Sequence, residues 1–182
     1  MLEMRRVVWC AVAATVLAGG LSAGIGAAGH DGNEAAEAVR LTAGLDARQE
    51  VPRPKGAIAD AGGSFVATLE RKGTAGTLAW RLTFRNLSGK ATAAHVHLGK
   101  RGRPGPVALA LCGRCRSGAR GSTRAGAGAV QALLSGGAYV NVHTARNPAG
   151  EIRGQIRAGS TVPPPSTTTS TTTTTTGDDP YP

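Results

Sequence analysis

Residues 76–87 read GTLAWRLTFRNL and alternate between large apolar and smaller or polar side chains. The apolar positions are Leu78, Trp80, Leu82 and Phe84. Successive side chains of a β-strand point to opposite faces, whereas a helix repeats every 3.6 residues. A period of two sustained over this length therefore predicts a strand with one buried face.

Weaker runs of the same kind flank this strand, and glycine- and proline-rich turns separate them. They cover residues 40–46, 63–70, 91–98, 107–111, 138–144 and 151–157. Residues 129–135 are expected to form a short helical turn that ends at Gly136. About seven antiparallel strands joined by such turns predict an all-β domain, either a sandwich or a Greek-key barrel.

The N-terminus has the three regions of a secretory signal peptide. Arg5 and Arg6 precede an apolar run at residues 7–21, and small residues follow at 22–28. This order predicts a signal peptide at residues 1–28 and hence export from the cytoplasm. The alternative is an uncleaved membrane anchor, because the uncharged run from residue 7 to 28 is long enough to span a bilayer.

The rest of the chain divides into three parts. Residues 29–38 are expected to be a flexible leader, residues 39–158 the β domain, and residues 159–182 a disordered tail. The tail contains three consecutive prolines and a long Ser/Thr run with almost no apolar side chains, so it lacks the means to form a core. Its hydroxyl groups are possible sites for O-linked sugars.

Positive charge is concentrated in one part of the chain, whose net charge is +10 overall. A stretch without Asp or Glu holds Lys100, Arg101, Arg103, Arg114, Arg116, Arg120 and Arg124. These residues predict a basic loop region that contacts an anionic wall polymer, a lipid surface or another surface protein. The alternative is a solvated loop that keeps the protein soluble. Nucleic acid is not expected as a partner, because the protein is exported and no aromatic residues are interleaved with the charges.

Two cysteines remain after the signal peptide, and they lie three residues apart at Cys112 and Cys115. In an exported protein such a pair is typical of a local disulfide. The alternatives are a redox pair, which would need a βαβ context, and half of a zinc site, which would need two further ligands.

Three histidines lie on two predicted strands. His95 and His97 share one face of the first strand, and His143 lies on the polar face of the second with Tyr139 and Asn141. If the strands are neighbours, the three imidazoles converge on one face and form a possible copper or zinc site. The alternative is that they hydrogen-bond to loops without metal.

Glu151 and Arg153 lie two residues apart on the last predicted strand and therefore share a face. We expect them to form a structural ion pair at the edge of the barrel. The sequence offers no Ser-His-Asp order, paired-carboxylate site or phosphate-binding glycine loop, which favours a non-enzymatic role.

Residues 41–156 resemble the CHRD domain, which was first named from chordin and also occurs in bacterial exported proteins. The resemblance rests on QEVP at residues 49–52, AHVHLG at 94–99 and GPV at 105–107. It rests most of all on YVNVHT at residues 139–144, followed by NPAGEIRGQI at 147–156. It implies an immunoglobulin-like β-barrel and no settled enzymatic activity. The cysteine-rich modules of chordin are missing, so growth-factor antagonism is not carried over.

The histidine strands are also similar to those of copper/zinc superoxide dismutases. By that likeness His95, His97 and His143 would be copper ligands. The chain departs from those enzymes because its only other histidine is His30, in the leader; a full dismutase site is therefore not expected, and a reduced three-histidine site is the most that the likeness supports.

The leading interpretation is therefore an exported, non-enzymatic β-domain that acts in binding or adhesion at or beyond the cell surface. A second interpretation is a metal-binding or copper redox protein. A third is a stable spacer that carries a functional tail. The binding partner and the oligomeric state do not follow from the sequence.

Overall fold

The structure is a computed structural model that describes residues 38–56 and 59–162. The predicted signal peptide, residues 29–37 of the leader and residues 163–182 of the tail lie outside the described residues. None of the helices within the described ranges has the length and apolar character that a membrane crossing requires.

The described residues form nine strands, one 3₁₀ turn and one α-helix. In chain order they are β1 Ala38–Asp46, the 3₁₀ turn Ala47–Gln49, β2 Gly62–Lys72, β3 Ala75–Arg85, β4 Ala91–Leu98, β5 Val107–Gly113, β6 Ala119–Ala125, α1 Ala127–Leu134, β7 Ala138–Thr144, β8 Ile152–Gln155 and β9 Arg157–Val162. The predicted all-β class is thus confirmed.

The strands form a single antiparallel sheet in the order β5-β4-β7-β8-β1-β2-β3-β6, with β9 paired to β1. Because β8 and β9 follow each other along the chain, they act as one bent strand between β7 and β1. The sheet curls into a nearly closed barrel of eight strands, with β5 and β6 at its two edges. The sequence predicted about seven strands, slightly fewer than the structure contains.

The core is built from aliphatic side chains with few aromatic ones. The inward positions predicted for β2 and β3 are confirmed, since Phe65, Leu69, Leu78 and Leu82 are all fully buried. Val96, Val140 and Val142, the apolar faces of the two histidine strands, are also fully buried. The polar face of these strands therefore points away from the barrel interior.

Strand β6 was missed by the sequence patterns. It has no large apolar residue: Arg120, Ser122 and Arg124 are exposed, and small residues alternate with them. One of these is Gly121, which lies opposite Trp80 in the register. A Cβ atom at Gly121 would lie 2.7 Å from the Trp80 ring, so a small residue is needed where the indole packs on the edge strand.

The end of the domain also differs from the prediction. The predicted strand at 151–157 is two strands, because the chain turns at Ile156 from pairing with β7 to pairing with β1. Strand β9 then continues to Val162, four residues beyond the predicted domain end at residue 158. The predicted helical turn at 129–135 begins two residues earlier, as α1.

The predicted ion pair between Glu151 and Arg153 is not formed. Glu151 is fully buried just before β8, and its carboxylate accepts hydrogen bonds from Ser88 N at 2.5 Å, Ser88 Oγ at 2.6 Å, Thr144 Oγ1 at 2.5 Å and Asn147 Nδ2 at 3.1 Å. Arg153 instead donates to the carbonyls of Lys100 and Arg103. The local bend before β8 directs the two side chains to different loops.

Burial would raise the pKa of Glu151, but the hydrogen bonds from Ser88, Thr144 and Asn147 outweigh it and hold the pKa below the ordinary value of 4.5. A carboxyl whose pKa is lowered by folding stabilises the folded state above its unfolded pKa. That contribution is lost as the pH falls through the folded pKa.

We expect Glu151→Gln to lower the free energy of unfolding by about 2–4 kcal/mol at neutral pH, because it leaves buried donors without an anionic acceptor. The measurement is urea unfolding from pH 7 down to pH 3. The variant should show a weaker loss of stability below pH 4.5 than the unsubstituted chain. Glu70→Gln, on the exposed face of β2, is the matched control and should change little; equal effects of the two substitutions would contradict the role of Glu151.

Candidate metal centre

The three predicted histidines come together on the outer face of β4 and β7. These strands are neighbours, with His95 opposite Asn141, His97 opposite Tyr139, and His143 opposite Ala93. One ring nitrogen of each histidine lies within 4.8 Å of the other two. His95 Nδ1 and His143 Nε2 are only 3.1 Å apart.

Backbone carbonyls fix the orientation of two of the rings. His97 Nδ1 donates to the carbonyl of Gly105 at 2.9 Å, and His143 Nδ1 donates to the carbonyl of Pro148 at 2.9 Å. In the neutral rings this leaves the lone pair on Nε2. His97 Nε2 is buried and has no hydrogen-bond partner among the described residues.

The histidine face is covered by loops and is therefore less exposed than the polar face of an ordinary sheet. His97 and His143 are each 9% exposed, and Asn141 is 1% exposed. The cover comes from the β4–β5 loop through Gly105 and from the β7–β8 loop through Pro148. Glu50, after the 3₁₀ turn, adds a third segment beside Asn141.

Tyr139 links the histidines to Arg153. The His97 ring stacks on Tyr139 with centroids 5.0 Å apart and planes 9° from parallel. The Arg153 guanidinium carbon lies 3.4 Å from the centre of the same ring. Since β4 and β8 flank β7 on opposite sides, the ring of Tyr139 lies between the His97 ring and the Arg153 guanidinium. The Tyr139 hydroxyl also accepts from Gly105 N at 3.2 Å.

The local environment keeps two of the histidines neutral. Burial lowers the pKa of His95, and the nearby charge of His97 lowers it further. Burial also lowers the pKa of His143; the hydrogen bond to Pro148 opposes this, and the repulsion that protonated rings of His95 and His97 would exert lowers the pKa further. A neutral imidazole is the form that binds metal.

A second buried polar group borders the histidines. Glu50 is 2% exposed, and burial raises its pKa, with Val51 N–H, Arg153 and Asn141 partly opposing the shift. Buried atoms of Glu50, Asn141, Arg153 and Gln155 have no hydrogen-bond partner within the described ranges. Sequence reasoning did not single out Glu50, although it lies in the QEVP motif, because its neighbours in space are distant along the chain.

The other predicted site residues are distributed over the barrel. Cys112 and Cys115 form the expected disulfide. The seven basic residues are all exposed, but they do not form one loop. Lys100, Arg101 and Arg103 lie before β5, Arg114 and Arg116 lie after it, and Arg120 and Arg124 lie on β6. The seven residues of β5 separate the first two groups by roughly 20 Å.

We expect Tyr139→Ala to lower the free energy of unfolding by about 3–5 kcal/mol, because it removes a buried ring that is packed on both faces. Tyr139→Phe keeps both ring contacts and loses only the hydroxyl acceptor of Gly105, so it should cost about 1 kcal/mol. Urea unfolding of the two variants measures the difference. A cost for Phe as large as that for Ala would mean that the hydroxyl, rather than the stacking, is what matters.

Comparison with known proteins yields a family and no individual relative. The sequence model of the CHRD domain matches residues 41–156, a range that contains both histidine strands and the loops that cover them. No curated protein and no solved structure gives a significant match. The family match covers well over half of the chain, and the resemblance noted in the sequence is confirmed: the chain belongs to the CHRD domain family, whose members are typically extracellular β-domains.

Proposed function

We propose that this protein is an exported metal-binding domain that holds one copper or zinc ion on His95, His97 and His143. The observation that carries the proposal is the way the rings are oriented. Backbone carbonyls accept hydrogen bonds from Nδ1 of His97 and His143, so the lone pair of each ring is on Nε2, which for His143 is the atom that faces His95. In metal sites, ligating histidines almost always donate their other ring nitrogen to a carbonyl, carboxylate or water.

The spacing of the rings also supports a shared ion. Zinc–nitrogen bonds are about 2.0–2.1 Å long, so two nitrogens on a tetrahedral ion lie about 3.3 Å apart. His95 Nδ1 and His143 Nε2 are already 3.1 Å apart. The widest separation in the cluster, 4.8 Å at most, would have to shorten by about 1.5 Å, which a small side-chain rotation can supply.

The ligand set favours particular metals. Imidazole nitrogens suit copper and zinc, whereas calcium and magnesium prefer oxygen ligands. Three histidines leave one position of a four-coordinate ion for a further ligand. If the ion is copper, this position is where a redox partner would bind. His95 is the ring that adjusts. Without metal, His95 Nδ1 donates its proton in a hydrogen bond to His143 Nε2. With metal bound, that proton would be on His95 Nε2 instead.

Binding at the cell surface through the basic residues stays a prediction. That prediction was based on a single basic loop, whereas the seven residues lie in two loops and on strand β6. The family and the predicted signal peptide support export, which would put the metal site outside the cytoplasm, where the disulfide is also stable. The histidine cluster therefore has better structural support than adhesion.

We expect the purified full-length, tag-free chain to bind about one equivalent of copper(II) or zinc(II) in isothermal titration calorimetry. Single substitutions His95→Ala, His97→Ala and His143→Ala each remove one ligand. Loss of a residue that only hydrogen-bonds to a metal ligand typically weakens metal binding by roughly 10- to 100-fold. Loss of a ligand itself should weaken binding by more than this. Electron paramagnetic resonance of the copper(II) form should show coupling to imidazole nitrogens.

His30→Ala is the matched control, because it removes the one histidine outside the cluster and should leave binding unchanged. Circular dichroism of each variant separates loss of a ligand from loss of the fold. The proposal is wrong if the unsubstituted chain binds neither metal stoichiometrically, or if His30→Ala weakens binding as much as the cluster variants do.

A further inference from the structure

A pocket of about 760 Å³ lies at the edge of the barrel where the end of β3, the start of β4 and the β5–β6 turn meet. Its volume is within the range of small-molecule sites, about 300–1,000 Å³. Phe84 and Leu87 line it and are only partly buried, and the buried Ala91 and Cys115 contribute to its wall. The pocket thus offers apolar surface to a ligand.

The same pocket is strongly cationic. Arg85, Lys90, Arg114 and Arg116 line it, and no Asp or Glu does so within the described part of the chain. All four are exposed, so their charged ends can turn toward a ligand in the pocket. Sequence patterns do not group Arg85 and Lys90 with the other two, because they precede Arg114 by more than 20 positions.

The wall that carries Arg114 is rigid. The disulfide closes the turn of residues 112–115. The turn is also tied to both neighbouring strands, because Arg114 N donates to the Thr92 carbonyl at 2.7 Å and Phe84 N donates to Ser117 Oγ at 2.8 Å. These bonds fix the position of the turn in the wall of the pocket.

Two residues of the pocket have a left-handed backbone conformation. Asn86 and Arg114, with φ of 54° and 50°, are the non-glycine residues with positive φ in the described ranges, and both line the pocket. Asparagine adopts this conformation readily, whereas arginine does so at a cost in free energy. Glycine at position 114 would avoid that cost, and a residue held at such a cost is a candidate for a functional role.

We propose that this pocket binds a soluble amphiphile with a single anionic head group and an apolar chain, such as a long-chain carboxylate. The arginines at the rim bind the carboxylate through charge-assisted hydrogen bonds, and the chain packs on Phe84 and Leu87. A short polar anion would leave the apolar wall in water, and a neutral chain would leave the cations without a partner. The pocket is distinct from the histidine cluster, so this inference stands independently of the metal proposal.

The test is isothermal titration calorimetry of the full-length chain with laurate below its micelle concentration. We expect one laurate per chain. Arg114→Gln/Arg116→Gln should weaken binding by roughly 10- to 100-fold, the effect of losing hydrogen bonds to a charged group. The matched control is Arg120→Gln/Arg124→Gln, which removes the same charge from β6 and should leave the affinity unchanged.

Two further ligands separate the contributions of chain and charge. Acetate carries the head group alone, and dodecyltrimethylammonium carries a similar chain with the opposite charge; neither should bind. Failure of laurate to bind, equal loss in the two double variants, or equal binding of the cationic detergent would each overturn the proposal. Binding only to vesicles of anionic lipid, and not to free laurate, would also overturn it in favour of a membrane contact.

Reduction of the disulfide gives an independent measurement that needs no substitution. Dithiothreitol should weaken laurate binding, because the reduced turn no longer holds Arg114 in its positive-φ conformation. Circular dichroism confirms that the barrel persists under these conditions. Unchanged laurate affinity in a reduced and folded chain would contradict the role assigned to the turn.

Discussion

The buried carboxylate of Glu151 holds together the parts of the barrel that matter most for the histidine cluster. It connects Ser88 in the β3–β4 connection, Thr144 at the end of β7 and Asn147 in the β7–β8 loop. The same loop supplies the Pro148 carbonyl that orients His143. One anionic acceptor therefore sets the position of a loop, and the loop sets the direction of a ring. A charge without solvent exposure is tolerable only because donors surround it.

The histidine cluster is polar but shielded from solvent by loops, and this combination sets the protonation and orientation of its rings. The valines of β4 and β7 fill the barrel on one face, while the loops shield the imidazoles on the other. Shielding lowers the pKa values of His95 and His143. The loop carbonyls accept hydrogen bonds from Nδ1 of His97 and His143. Both effects act on the rings without any ion, so His97 and His143 are already oriented for the metal that we propose. Tyr139, packed between His97 and Arg153, keeps the neighbouring ring in place.

Much of this could be predicted from residue patterns, because the period of two depends only on neighbours along the chain. It placed the faces of β2, β3, β4 and β7, and it grouped His95, His97 and His143. It failed where the deciding contact is distant in sequence. Glu151 was paired with Arg153, its near neighbour, whereas its partners are Thr144, Asn147 and the distant Ser88. The basic residues were grouped by position along the chain, whereas the fold groups Arg114 and Arg116 with Arg85 and Lys90.

A barrel that stops short of closure leaves strand edges with unpaired backbone groups, and such edges invite another chain to add a strand. Here β6 forms one of them, and its outward positions carry Arg120, Ser122 and Arg124. A second copy that approached this edge would bring its own arginines against these, which repels it. On this strand, charges that resemble a docking surface in the sequence therefore oppose the edge-to-edge pairing that an open barrel would otherwise permit.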